Sequence, residues 1–192
     1  MIKILVIKVF IVVVFFYLTI TKVGFGSNEA VLKIANLELM IALIDLKKAA
    51  HTKCIELVNV KIDTLNKELS EASNAMEGDT KSSAGDKYET GREMIQQELN
   101  KLNTQKNIAL KELQTLKAHN PLDSPKSCQL GALVDTKSGI YYLTIPLGKI
   151  EVKSKDVFII SPISPIGQAL IDLKKGDHFV LRNNKSEILE IA

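Results

Sequence analysis

The chain has no tryptophan, only two cysteines and only five prolines in 192 residues. Without tryptophan, and with a formal net charge of only +3, it lacks the stacking platforms and the electrostatic footprint that direct duplex binding requires. Cys54 and Cys128 lie far apart and form no disulfide framework, a usage that fits a reducing compartment. No P-loop and no dinucleotide fingerprint is present. His51 and Cys54 make a His-x-x-Cys pair, but no second ligand pair accompanies it, so a structural zinc site is not indicated. No spacing sets a cysteine beside His119 or His178 as a nucleophile with its base. The length leaves room for one medium domain or two small ones and excludes large catalytic folds. A charged fraction of 24% excludes wholesale disorder.

Mean hydropathy is nevertheless +0.10. The apolar residues are concentrated in residues 4–20, ILVIKVFIVVVFFYLTI, where Lys8 is the one charge. Seventeen residues is the lower edge of a membrane span. Lys3 followed by this run also fits a signal peptide, although the stretch before Ser27 has no A-x-A cleavage pattern. A third reading is translation from a start upstream of a working one at Met40, where the sequence changes character. Residues 1–39 are therefore set apart as an apolar extension with three open readings.

Residues 40–76 contain neither proline nor glycine. Apolar side chains recur at Ile55, Val58, Ile62, Leu65, Leu69, Ala72 and Met76, alternately three and four apart, which is a heptad seam. Leu37, Ile41 and Ile44 extend it backwards, with Lys48 and His51 in the seam between. A second seam follows at Ile95, Leu99, Leu102, Lys106, Ala109, Leu113 and Leu116. Two seams of similar length joined by a short polar stretch predict an antiparallel helical hairpin over residues 40–119, because each buries the other. Its tip falls at residues 77–93, which carry Gly78, Gly85 and Gly91 and the carboxylates Glu77, Asp79, Asp86, Glu89 and Glu93. This is either a solvated loop or a set of oxygen ligands for a hard divalent cation such as Mg²⁺.

Asn120-Pro-Leu-Asp-Ser-Pro125 ends the second helix and opens a linker over residues 120–127. Residues 128–192 then read as short strands at 129–136, 140–145, 149–152, 157–161, 178–182 and 187–191, with a turn at Lys137-Ser-Gly139. Ser164 and Pro165 mark the start of one short helix, as N-cap and first-turn residue. Ile166, Leu170 and Leu173 form its apolar face. The expected fold class is α+β: a helical hairpin followed by a small antiparallel sheet with one helix packed on it.

Residues 160–170, Ile-Ser-Pro-Ile-Ser-Pro-Ile-Gly-Gln-Ala-Leu, followed by Lys175-Gly176-Asp177, resemble the S-P-I-x-x-A-L…G-D signature of the Gre family of bacterial transcript-cleavage factors. Ser164, Pro165, Ile166, Ala169, Leu170, Gly176 and Asp177 carry the match. The tip run Gly78-Asp-Thr-Lys-Ser-Ser-Ala-Gly-Asp-Lys-Tyr-Glu89 is more loosely similar to the family's G-D-L-K-E-N-A-E-Y. It resembles a divergent branch typical of Bacteroidetes. The resemblance covers residues 40–192 with both parts in family order. It implies an FKBP-like fold for the C-terminal domain, which docks on RNA polymerase through Ser164, Pro165, Ile166, Gly176 and Asp177. It implies that the coiled coil enters the polymerase's secondary channel. There, tip carboxylates share the second active-site Mg²⁺ and stimulate cleavage of the backtracked RNA 3′ end. Such a protein is a cytoplasmic accessory factor and not itself an enzyme.

On this pattern Asp79 matches the first tip carboxylate and is the metal-sharing residue. The second position falls on Ser82, which has no carboxylate, so Asp86 and Glu89 are the residues that would compensate. A Gre-like regulator that binds without cleaving is the alternative. A membrane-anchored coiled-coil structural protein, held through residues 4–23, is the other.

Overall fold

The computed structural model describes residues 28–78, 87–181 and 183–192. The chain divides into two compact units, Met1–Leu43 and Ile44–Ala192.

In the first unit the described residues are helical. They are the opening turns of α1, which runs over Asn28–Gly78. These turns expose Leu32, Ile34, Leu37, Leu39 and Ile41. Leu37 and Ile41 therefore do not extend the seam as expected. Among the described residues no helix is long and apolar enough to cross a membrane. The apolar run at residues 4–20 lies outside the described residues.

In the second unit, α1 continues and pairs with α2, Lys87–Lys117. Leu65, Leu102 and Ala109 form one buried cluster, with Ile62, Leu69 and Ala72 packed against it. Lys61 on α1 reaches Glu112 on α2 at 3.1 Å. Partner numbers on α2 fall as those on α1 rise, so the helices are antiparallel. Every expected seam residue from Ile55 to Met76, and from Ile95 to Leu116, is buried or half-buried. A seam of alternating three- and four-residue steps stays on one face of a helix, so each helix can cover the other's. Towards the base the buried stripe shifts. Lys48 is exposed; His51 is buried as its seam position requires, and Leu46, Lys47, Ala50 and Cys54 turn inward beside it.

The C-terminal part is a six-stranded sheet ordered β3-β4-β2-β1-β6-β5. Its strands are β1 Leu133–Thr136, β2 Gly139–Leu143, β3 Gly148–Val152, β4 Lys155–Ile160, β5 His178–Leu181 and β6 Asn184–Ile191. The expectation of a purely antiparallel sheet is corrected here. β2 and β4 are parallel, Tyr141 facing Phe158 and Leu143 facing Ile160. The cause is connectivity. β3 turns back on β4 as a hairpin at the sheet's edge, and this delivers β4 to β2 running the same way. The short helix α3, Pro165–Leu170, then leads to β5 at the opposite edge. Val134, Tyr141, Leu143, Leu170, Phe179 and Ile188 build the core, and Ile166, Ala169 and Leu173 close it from the helix side. Alternation along β2 sends Tyr141 into this core and Tyr142 to the other face, where it meets His51 of α1. The molecule is α+β: long helices followed by a mixed sheet with one short helix.

Candidate functional site

The signature residues fall in two places, the capped start and body of α3 and a separate turn at residues 174–177. Ser164 has extended backbone angles, φ −69° and ψ 156°, and its Oγ accepts from the Gly167 N–H at 3.1 Å. The same hydroxyl donates to the Ser161 carbonyl at 2.6 Å, and the Ser164 N–H donates there at 3.0 Å. One serine thus caps the helix and ties the loop into a closed turn. Pro165 supplies a pre-set φ at the first helical position. Gly167 makes the close approach feasible: a Cβ there would lie 2.2 Å from the Ser161 carbonyl and 2.8 Å from that of Pro162. The knot holds Ile163 outward with 82% of its surface exposed.

Beyond α3 the chain is pinned twice. The Cys128 N–H donates to Leu173 O and the Asp172 N–H to Cys128 O, both at 2.8 Å. Then Gly176, at φ +87°, closes a turn that a side chain would strain. Asp177 completes it, its Oδ2 accepting from the Lys174 N–H at 2.7 Å. The Gly176 N–H donates to Ile188 O, and the Ile188 N–H to Asp177 O, which ties the turn to β6.

The residues expected to contact polymerase therefore divide. Ser164 and Gly176 shape the backbone, and Ile166 packs on the core. Pro165 and Asp177 remain exposed. Ile163, one residue before the signature, was not singled out from the sequence. Its signal was an isoleucine with no partner in the helical pattern, set between Pro162 and Ser164-Pro165. An isoleucine on a hydrogen-bonded loop is an apolar knob that loses little conformational freedom on docking.

Of the tip carboxylates, Asp79 and Asp86 lie outside the described residues, as does Ser82. Glu89 belongs to α2, which begins at Lys87, before the expected end of the tip at 93. Among the described residues no group of three or more His, Cys, Asp or Glu is placed to hold a metal ion.

Elsewhere the chemistry is muted. Both cysteines are free and buried, and burial pushes their thiols up to about 12, which removes the thiolate a nucleophile needs. His51 is buried against the Tyr142 hydroxyl, with Nδ1 2.9 Å from it. His178 stands on β5, 4.0 Å from Glu187. An open groove of about 550 Å³ runs between α1 and the β3–β4 turn, lined by Asp45, Lys48, Lys53, Glu56, Glu151 and Lys153 among others. Its charges are balanced and partly paired with one another, so it selects no ligand sign.

No protein-family model matches the chain, and no curated protein matches it. Among solved structures, one described as "Structure of the transcription factor Gfh1" aligns over 72% of this chain and 92% of its own, at 18% identity and a TM-score of 0.29. An alignment this loose is a similarity to Gfh1 and nothing more.

Proposed function

We propose that this chain is a Gre-like transcription elongation factor. Its sheet domain docks on RNA polymerase by the Ile163 loop, and its helical hairpin enters the secondary channel. The tip stimulates Mg²⁺-dependent cleavage of backtracked RNA, with Asp79 sharing the polymerase's metal and Asp86 and Glu89 in support. The protein acts in the cytoplasm as an accessory factor, and the catalytic centre is the polymerase's own. The observation that carries this reading is that the signature residues cap α3 on a hydrogen-bonded loop that displays Ile163 and close a turn before β5, on a chain that also supplies an antiparallel hairpin.

The test is a stalled, backtracked polymerase complex given the full chain and Mg²⁺. Shortening of the RNA from its 3′ end is expected, and no binding to either free or backtracked polymerase would sink the proposal. Asp79→Ala should abolish the shortening and spare binding. Unchanged cleavage would remove Asp79 from the role.

Ser82 favours a second reading. With one matched carboxylate at the tip, the factor binds in the channel and regulates without cleaving. Binding without RNA shortening distinguishes it.

A further inference from the structure

We propose that Asp45, Lys47 and His51 form a three-point latch that fixes the direction in which α1 leaves the sheet domain. The three residues occupy under two turns of one helix, and no two of them reach the same segment of the linker or the sheet domain. The Lys153 ammonium, on the β3–β4 turn, donates to an Asp45 carboxylate oxygen at 2.5 Å. The Lys47 Nζ donates to the Asp123 carbonyl at 2.5 Å, in the linker, and to the Ala192 carbonyl at 3.1 Å, beyond β6. The His51 ring meets the Tyr142 hydroxyl on β2 at 2.9 Å, the two rings lying edge to face. Contacts at four separate segments (the β3–β4 turn, the linker, the chain beyond β6, and β2) remove the rotations that one or two would leave.

The apolar part of this junction cannot do the same. Leu46, Ala50 and Cys54 are buried, but apolar burial has no direction and tolerates sliding. Directional bonds to fixed carbonyls do not. The choice of residues carries a cost that packing alone would avoid. Lys47 is only 1% exposed, and burial pulls its ammonium down to about 8. A buried amine is a poor way to gain stability and is best justified where it specifies one arrangement. The turn presenting Lys153 is costly too. Lys153 and Ser154 both sit in the left-handed region, at φ 51° and 61°, where such hairpin turns favour Asn-Gly. Backbone strain is thus held at the residue that reaches Asp45.

The latch stands on this junction alone and holds whether or not polymerase is the partner. With it, wherever the sheet domain docks, the direction of the hairpin is already set.

The experiment measures a distance within the full chain. Gln105→Cys on α2 and Lys174→Cys in the sheet domain, both exposed in the parent, take spin labels while the buried Cys54 and Cys128 react slowly. Pulsed dipolar spectroscopy should give a single narrow distance distribution for the doubly labelled chain. Lys47→Met and, separately, Tyr142→Phe should each add a second population of about one part in ten or more, with helix content retained. Tyr142→Phe removes one oxygen and keeps the ring, so it decides the matter if Lys47→Met fails to fold. Two results would overturn the latch. One is a broad distribution in the parent. The other is a folded Tyr142→Phe chain with a lowered thermal midpoint and an unchanged narrow distance, as a merely stabilising residue would give.

Discussion

At the scale of single residues, the loop before α3 and the base of α1 each make a prediction that separates structure from recognition. Gly167 has backbone oxygens of Ser161 and Pro162 where a Cβ would go. Gly167→Ala must push the loop away and should cost about 1–3 kcal/mol, read by urea unfolding. Ile163→Ser alters a side chain that is 82% exposed, so stability should stay within about 0.5 kcal/mol while polymerase binding is lost. If Ile163→Ser binds as the parent does, the knob is not the docking residue. His51 gives a pH prediction. Burial, the nearby His119 and the Lys47 charge all hold its imidazole below the usual value of 6.5. Protonation is thus easier in the unfolded chain, and stability must fall as pH drops below 6.5 towards the lower native value. Lys47 has the same sign in another window. Its native value near 8 lies under the unfolded 10.5, so stability rises with pH between the two. Asp45, held low by the Lys153 bond, keeps its contribution above the ordinary carboxylate range and loses it only in stronger acid. Thermal midpoints of the parent and His51→Gln, compared at about pH 5 and pH 7, should show a smaller acid loss in the variant. An equal loss in both would remove His51 as the cause.

At the scale of elements, the hairpin was the most legible part of the sequence. Period alone identified each helix's partner-facing side, and no residue of the seam from Ile55 to Met76 turned outward. Leu65, 5% exposed in the Leu102–Ala109 cluster, is the position to test. Leu65→Ala should destabilise the hairpin by about 2–5 kcal/mol, while Val60→Ala, at 63% exposure, should change little. Equal effects of the two, by chemical denaturation, would mean that the helices do not pair as described. The same periodicity failed where a second surface competes for the helix. Below Ile55 the sheet domain also packs on α1, so the buried face widens and slides from Lys48 to Lys47. A heptad count contains no information about that domain. Strand positions were legible from alternation and turns, and the Ser164 cap was found from residue type alone. Parallel pairing of β2 with β4 was not, because it depends on which edge the β3–β4 hairpin joins. For the site, the signature marked a loop and a turn, and most of its residues there are ones the backbone needs: Ser164 as cap and Gly176 at positive φ. Such residues are legible from type and spacing, whereas Ile163, 82% exposed, has no packing role that a pattern of buried positions could reveal.

At the scale of the whole molecule, charge and burial divide the chain at nearly the same place. Lys3, Lys8 and Lys22 precede the first acidic residue, Glu29, so the net +3 of the protein arises before residue 29 and the rest is balanced. Side chains with large exposed apolar surface are dense on Asn28–Leu43, at Leu32, Leu37 and Ile41, whereas burial is regular from Leu46 onward. Apolar surface preceded by unopposed lysines is the composition that adsorbs to an anionic bilayer. Two consequences can be separated by deleting residues 1–39. The remaining chain keeps every buried residue of the hairpin, the junction and the sheet, so its thermal midpoint should lie within about 2–4 °C of the parent's. Flotation with vesicles containing anionic lipid should carry the full chain and leave the shortened one behind, and raised salt should weaken but not abolish the difference, because screening acts on the lysines and not on the apolar residues. A shortened chain that still floats would assign membrane affinity to the folded part, and a full chain that does not float would end the reading in which residues 4–23 associate with membrane. A large fall in midpoint on deletion would instead make the first unit a working part of the fold. A retained midpoint with lost flotation would make residues 1–39 an extension that sets where the protein is held and leaves the hairpin and sheet domain as they are.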